Sequence, residues 1–136
     1  MRIEPYLQLN GQAEAAMAFY QSALGATVEM LMRFSDSPEP IPEDQIPAEH
    51  LNRVMHASLL IDGARLMLTD GGCMTGRAMG GFSLSLQYAG ETEARRAFNA
   101  LAEEGTIDMP IGPTFWSPCF GMVTDKFGVQ WMVTVE

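Results

Sequence analysis

Cysteine is scarce in this sequence, and the two that occur, Cys73 and Cys119, have neither CxxC spacing nor enough histidine nearby to complete a zinc set. No disulfide framework or structural metal is expected, and both thiols should be reduced, buried and inert. Cys119 lies between Pro118 and Phe120 without a basic neighbour to lower its pKa, which argues against a nucleophile. Basic residues are few as well. Eight Lys and Arg against seventeen Asp and Glu leave a net charge of −9, a sign that repels phosphate backbones and anionic headgroups, so neither nucleic acid nor a membrane is expected as partner. Long apolar runs are missing: nothing approaches the ~20 residues that span a bilayer, and the start MRIEPYLQLN lacks the apolar centre of a signal peptide. The expected location is the cytoplasm. What remains is 136 residues, 47% of them hydrophobic, enough for one domain whose core needs no cross-link.

Along the chain, residues 3 to 9 alternate in character and predict a strand, and Ala13, Ala16, Met17, Tyr20 and Leu24 then fall on one face of a helix. Gly25 is placed to cap that helix in the left-handed conformation, and TVEMLMRF alternates again as a second strand. From Ser35 to Arg53, Pro38, Pro40, Pro42 and Pro47 among acidic residues predict a long loop, a solvated connection or a lid, with His50 in solvent. VMHASLLIDGARLMLTD reads as a hairpin turning at Asp62 and Gly63.

Residues 71 to 81, GGCMTGRAMGG, are glycine-rich, but a strand-like segment follows them where a phosphate cradle needs a helix start, so they read as a linker. It divides a first half, 1–70, from a second, 82–136. The second half begins with the strand FSLSLQY and continues with the helix ETEARRAFNALAEEG, ended by Gly105 as Gly25 ends the first. A strand near 106 to 111 follows, then FGMVTD and VQWMVTV around a turn begun by Asp125. NGQAEAAMAF and AGETEARRAF pair Gly11 with Gly90, Glu14 with Glu93, Ala15 with Ala94, Ala18 with Ala97 and Phe19 with Phe98. With the same order of elements in both halves, this points to an internal duplication. The expected fold is α+β: tandem duplicated βαβββ units forming a curved mixed sheet around a cleft, where a ligand would sit.

A duplicated βαβββ unit resembles the vicinal oxygen chelate superfamily, which includes glyoxalase I, extradiol dioxygenases and bleomycin-resistance proteins. PYLQLNGQAEAAMAFYQSALGA, VMHASLLIDGARLMLTD and PTFWSPCFGMVTDKFGVQWMV are similar to its PhnB-like branch. Some members of that branch carry a demethylubiquinone methyltransferase label, but no Gly-rich strand-to-helix turn for S-adenosylmethionine is present, and methyl transfer is not expected. The resemblance implies four metal-ligand places on the first and last strands of the halves. They fall at Pro5, near Met67 to Thr69, near Phe82 and at Met132, none a usual ligand, while Glu4, Thr69 or Ser83 offer little after a one-residue shift. A divalent metal is possible in the family, but no metal and no cofactor is expected here. Duplicated folds of this family commonly dimerise, so a homodimer is expected.

His56, one of two histidines, is the candidate general base, to be oriented by Asp62, Asp70 or Asp125, although a structural histidine is the commoner finding. For ligand contact the candidates are Tyr6, Gln8, Phe82, Trp116, Phe120, Trp131 and Met132, because aromatic rings and thioethers line adaptable apolar pockets as readily as they fill cores. Three functions fit these residues: a metal-independent binder of a small apolar or aromatic molecule, a lyase or isomerase with His56 as base, and a dimeric interaction module without ligand.

Overall fold

The computed structural model describes residues 1–71 and 78–136, so Cys73 and most of the glycine-rich linker lie outside the described residues. Two units divide the chain, Met1–Arg77 and Ala78–Glu136, each a four-stranded mixed sheet with one helix, in the duplicated α+β arrangement. In the first, β1 (Tyr6–Gln8), α1 (Ala13–Leu24), β2 (Thr27–Arg33), β3 (Val54–Ile61) and β4 (Ala64–Thr69) build a sheet of order β1-β4-β3-β2. In the second, β5 (Leu84–Tyr88), α2 (Glu91–Ala102), β6 (Thr106–Gly112), β7 (Cys119–Thr124) and β8 (Gln130–Val135) repeat it in the order β5-β8-β7-β6. Each unit pairs its first and last strands in parallel and the others antiparallel.

Ala13, Ala16, Met17 and Tyr20 are buried on α1, as the helical spacing predicts, and they share a core with Leu7, Ala57, Leu59, Leu66 and Leu68 of the strands. Gly25 ends α1 with φ 68°, in the left-handed region where a Cβ is penalised. The hairpin turns at Asp62 (φ 48°) and Gly63 (φ 84°), the two positive angles of a turn whose twist matches the strands. α1 lacks a side-chain cap of its own. Asp70, just past β4, fills that place by accepting the N–H groups of Gly11 (2.8 Å) and Ala13 (2.9 Å) on one oxygen and that of Val54 (2.8 Å) on the other.

In the second unit α2 buries Ala94, Ala97, Phe98 and Leu101 over β7 and β8. Its end departs from expectation: Glu103 closes the helix and Glu104 takes the positive φ of 60°, while Gly105 does not. Gly105 is glycine for another reason, since a Cβ there would run into the carbonyl oxygen of Thr124. Gly121 serves packing too, because a Cβ would lie 2.7 Å from the Phe98 ring. The helices also correct the residue pairing of the repeat. By burial Ala13, Ala16, Met17 and Tyr20 match Ala94, Ala97, Phe98 and Leu101, whereas identity paired Ala15, exposed, with buried Ala94. The duplication is one of architecture, two twelve-residue helices whose buried residues have the same spacing.

Among the described residues no helix is long and apolar enough to cross a membrane. The segment between β2 and β3 is a loop, as its prolines predict, but it folds back through two short 3-10 turns, Phe34–Asp36 and Ala48–His50, and buries Phe34. His50 is half-buried there rather than solvated.

Candidate functional site

Alternation along a strand sends neighbours to opposite faces, so the strands that bury Leu7, Ala57, Leu59, Leu66 and Leu68 against α1 present Tyr6, Gln8, His56, Ser58, Arg65 and Met67 on the other face. Register lines up Tyr6, Met67, Ser58 and Met30 as one row across all four strands of the first sheet, with Gln8 opposite Thr69 and Met32 opposite His56 in adjacent rows. Thioethers thus form much of the floor, a deformable apolar surface.

Two polar groups stand on this floor. Tyr6 reaches over β4 to His56, its hydroxyl 3.0 Å from Nδ1 and its ring edge-on to the imidazole at 5.4 Å and 86°. Depending on the tautomer, the phenol donates to Nδ1 or Nδ1–H donates to the phenol oxygen. Arg65 anchors the other group. Its Nε and Nη2 donate to the two oxygens of Glu29 at 2.8 and 2.7 Å, and Nη1 reaches Glu4 at 3.0 Å. Glu29 occupies a bulge, between Val28 and Met30 in the pairing of β2 with β3, which turns its side chain toward Arg65 and toward Ser58 Oγ, a donor at 3.2 Å. The Arg65 hydrogen bonds hold the Glu29 carboxyl below its ordinary value, and the two glutamates push the Arg65 guanidinium up.

His56 is therefore oriented by Tyr6 and not by an aspartate. Asp70 is committed to three backbone N–H groups. Asp125 is likewise spent inside the second unit, accepting the N–H groups of Phe127 (2.9 Å) and Val129 (3.1 Å) and the indole N–H of Trp131 (2.9 Å). Trp131, expected among the ligand contacts, is 2% exposed and packs on the helix-facing side of β8. Its neighbour Met132 lies on the opposite face, in a row with Ser85, Met122 and Met109. Phe82 precedes β5 and is exposed rather than aligned with the strand. Trp116 and Phe120 do come together, edge to face at 5.3 Å, with Phe115 against Trp116 at 4.7 Å. Cys119 is buried. Sequence reading missed Arg65 and Glu29, whose only signal was charge on otherwise apolar strands, and it weighed Glu4 only as a shifted metal ligand.

The metal chemistry of the family finds a poor donor set. On the face that carries His56 and its counterpart in the second unit, the first and last strands offer Tyr6, Gln8, Met67 and Thr69, and Ser85, Gln87, Met132 and Thr134. These are neutral groups or thioethers, and the hydroxyls of Thr69 and Thr134 already bind Met55 O (2.7 Å) and Ser117 Oγ (3.2 Å). Glu4 and Glu29 are held by Arg65, and among the described residues no three His, Cys, Asp or Glu side chains converge. The residues present do not fit a divalent ion of the usual kind.

Comparison with known proteins agrees with this architecture. Protein YjdN of Escherichia coli is 37% identical over 143 aligned residues, covering 99% of this chain and 95% of YjdN. A crystal structure of a protein from Pseudomonas aeruginosa superposes with a TM-score of 0.88 at 43% identity, over 100% of this chain and 98% of that one. A Bacillus cereus protein described as a putative 3-demethylubiquinone-9 3-methyltransferase, PhnB protein, superposes at 0.81 and 29% identity over the whole of both chains. The sequence profile of the Glyoxalase/Bleomycin resistance protein/Dioxygenase superfamily matches residues 2–133. With two four-stranded sheets of repeated topology and a PhnB neighbour, that match makes the chain a member of this superfamily.

Proposed function

We propose that the protein binds a small, largely apolar organic molecule on the sheet face of the first unit that carries His56, without a metal. The observation that carries this reading is the row of Tyr6, Met67, Ser58 and Met30 beside the Tyr6–His56 pair. Thioethers and a half-exposed phenol give an adaptable surface for a flat or branched body, and the imidazole gives one polar contact that fixes its orientation. Arg65 is saturated by two carboxylates, so this face selects for a neutral ligand rather than an anion. Trp116, Phe120 and Met132 offer apolar surface of the same character within the second unit. Methyl transfer finds no support in the connection from β1 to α1, which is a short turn at Asn10 and Gly11 and not a glycine-rich cradle.

One observation favours a second reading, a lyase or isomerase. A base held in place by another side chain is how proton abstraction is commonly arranged, and Tyr6 holds His56 in that way. The apolar edge strands β2 and β6, which expose Val28, Met30, Leu31, Ile107 and Met109, support a homodimer; a sedimentation mass of one chain would exclude it.

The test is a screen of small neutral aromatic and branched compounds against the protein in EDTA, read by backbone amide NMR. Saturable shifts at Tyr6, His56, Met67 and Met30, weakened in His56→Ala, support the proposal. Binding that requires an added divalent ion, or shifts confined to other residues, overturns it. Turnover of any bound compound that His56→Ala abolishes would establish the enzyme reading instead.

A further inference from the structure

A cavity of about 270 Å³ lies in the first unit, under the loop between β2 and β3, and none of its lining residues belongs to the group around His56. Its walls combine Phe34, Ile46 and Pro47 with His50 and Arg53. The loop is shaped to hold these side chains: Gln45 and Ile46 N–H donate to Pro42 O (2.9 and 3.1 Å), His50 N–H to Pro47 O (2.9 Å), and Arg53 N–H to His50 O (3.0 Å). Successive turns thus bring the apolar wall and the two nitrogen-bearing side chains to one place.

Arg53 is the unusual member. Among the described residues four arginines are half-buried, and Arg33, Arg65 and Arg95 each pair with a glutamate, while Arg53 makes no side-chain hydrogen bond and no ion pair. Its guanidinium lies against Gly11, where a Cβ would stand 3.1 Å from Cζ, so the absence of a side chain at 11 makes room for it. A half-buried guanidinium without a protein partner leaves its donors open to a ligand, and an anion with two oxygens matches its fork.

We propose that this cavity is a binding site for a small monocarboxylate with a branched apolar group, the carboxylate on Arg53 and His50 and the apolar group on Phe34, Ile46 and Pro47. Size and charge set the class. At about 270 Å³ the cavity falls just below the range of about 300 to 1,000 Å³ that takes drug-sized ligands, which points to a small compound rather than a nucleotide. Asp44 and Asp70 also line the cavity, and their charges oppose a phosphate dianion while tolerating a single negative charge held at Arg53. Such a carboxylate comes either as a simple acid or as an α-amino acid, whose ammonium would meet Asp44.

Titration of the wild-type protein with 4-methylpentanoate, L-leucine and the uncharged 4-methylpentanamide, followed by backbone amide NMR, tests this. The expected result is saturable shifts at Asn10, Phe34, Ile46 and His50 with at least one of the two carboxylates and none with the amide, and binding about tenfold weaker in Arg53→Gln at unchanged melting temperature. Leucine binding more tightly than the simple acid would assign the ammonium to Asp44, and the reverse order would assign the simple acid. Should Arg53→Gln fail to fold, the wild-type contrast between acid and amide decides alone. The proposal is overturned if neither carboxylate binds, if the amide binds as well, if Arg53→Gln binds equally, or if the shifts appear at Tyr6, His56 and Met67. A carboxylate bound at Arg53 leaves the reading of the His56 face untouched, and neutral compounds test that face separately.

Discussion

Tyr6 and His56 stand 50 positions apart in the sequence and 3.0 Å apart in the fold, and their hydrogen bond fixes which imidazole nitrogen is available to a ligand. With the phenol as donor, the neutral ring keeps its proton on Nε2. Tyr6→Phe retains the ring and removes the hydroxyl, so the His56 ¹⁵N shifts should move from a single tautomer toward a mixture; unchanged shifts would mean that the hydrogen bond does not set the tautomer. The Glu29–Arg65 pair makes a prediction about pH. Because Arg65 lowers the folded-state pKa of Glu29, the stabilisation it contributes is present above the ordinary glutamate value of about 4.3 and is lost as pH falls through the lowered folded value. Wild type should therefore lose more of its urea midpoint than Glu29→Gln between about pH 5 and pH 2.5. Equal losses in the two proteins would mean that the pair does not couple to folding. Tyr6, Gln8 and His56 were legible as candidates because polar or aromatic residues on an apolar strand stand out. Their partners were not, since nothing local says that Tyr6 reaches across β4 or that a bulge turns Glu29 toward Arg65.

At the scale of elements, periodicity and turn chemistry located both α-helices and all eight strands among the described residues, while the two 3-10 turns of the Pro-rich loop were read only as loop. Gly105 was read as a helix cap because glycine commonly ends helices, yet the carbonyl of Thr124 on β7 is what forbids a side chain there. Gly105→Ala should cost about 2 kcal/mol in chemical unfolding. Gly90→Ala, at φ −121° with no atom within 4 Å of the added carbon, should cost only a few tenths. Similar losses at the two positions would refute the steric account. Asp70 caps α1 from the far end of β4, so Asp70→Asn, which leaves one oxygen for three N–H donors, should destabilise by about 2 kcal/mol and increase amide exchange at Ala13 and Val54. Exchange at those amides unchanged from wild type would rule the cap out. The identity match between the halves misled for a related reason. Ala and Glu recur on any amphipathic helix, and burial against the sheet shows that Ala15 is exposed where Ala94 is buried.

For the molecule as a whole, a donor set of hydroxyls, amides and thioethers predicts indifference to metal removal. Dialysis against EDTA should leave the melting temperature within a degree or so, and Ni²⁺, Zn²⁺ or Mn²⁺ should not raise it; a stabilising shift from any one of them would show that a site had been missed. The sequence by itself determined the α+β class, the repeated strand-helix-strand order, and the turns at Gly25 and Asp62–Gly63. These follow from local spacing and from the chemistry of individual side chains, which a linear reading can weigh. Only the tertiary structure decided that Trp131 serves the core, that Asp70 and Asp125 are consumed by backbone and indole donors, that His56 answers to Tyr6, and that Arg53 is left without a partner beside a cavity. Each of those is a pairing across strands or between a loop and a turn, and which polar group meets which is set by register and by burial, quantities that exist only once the chain has closed on itself.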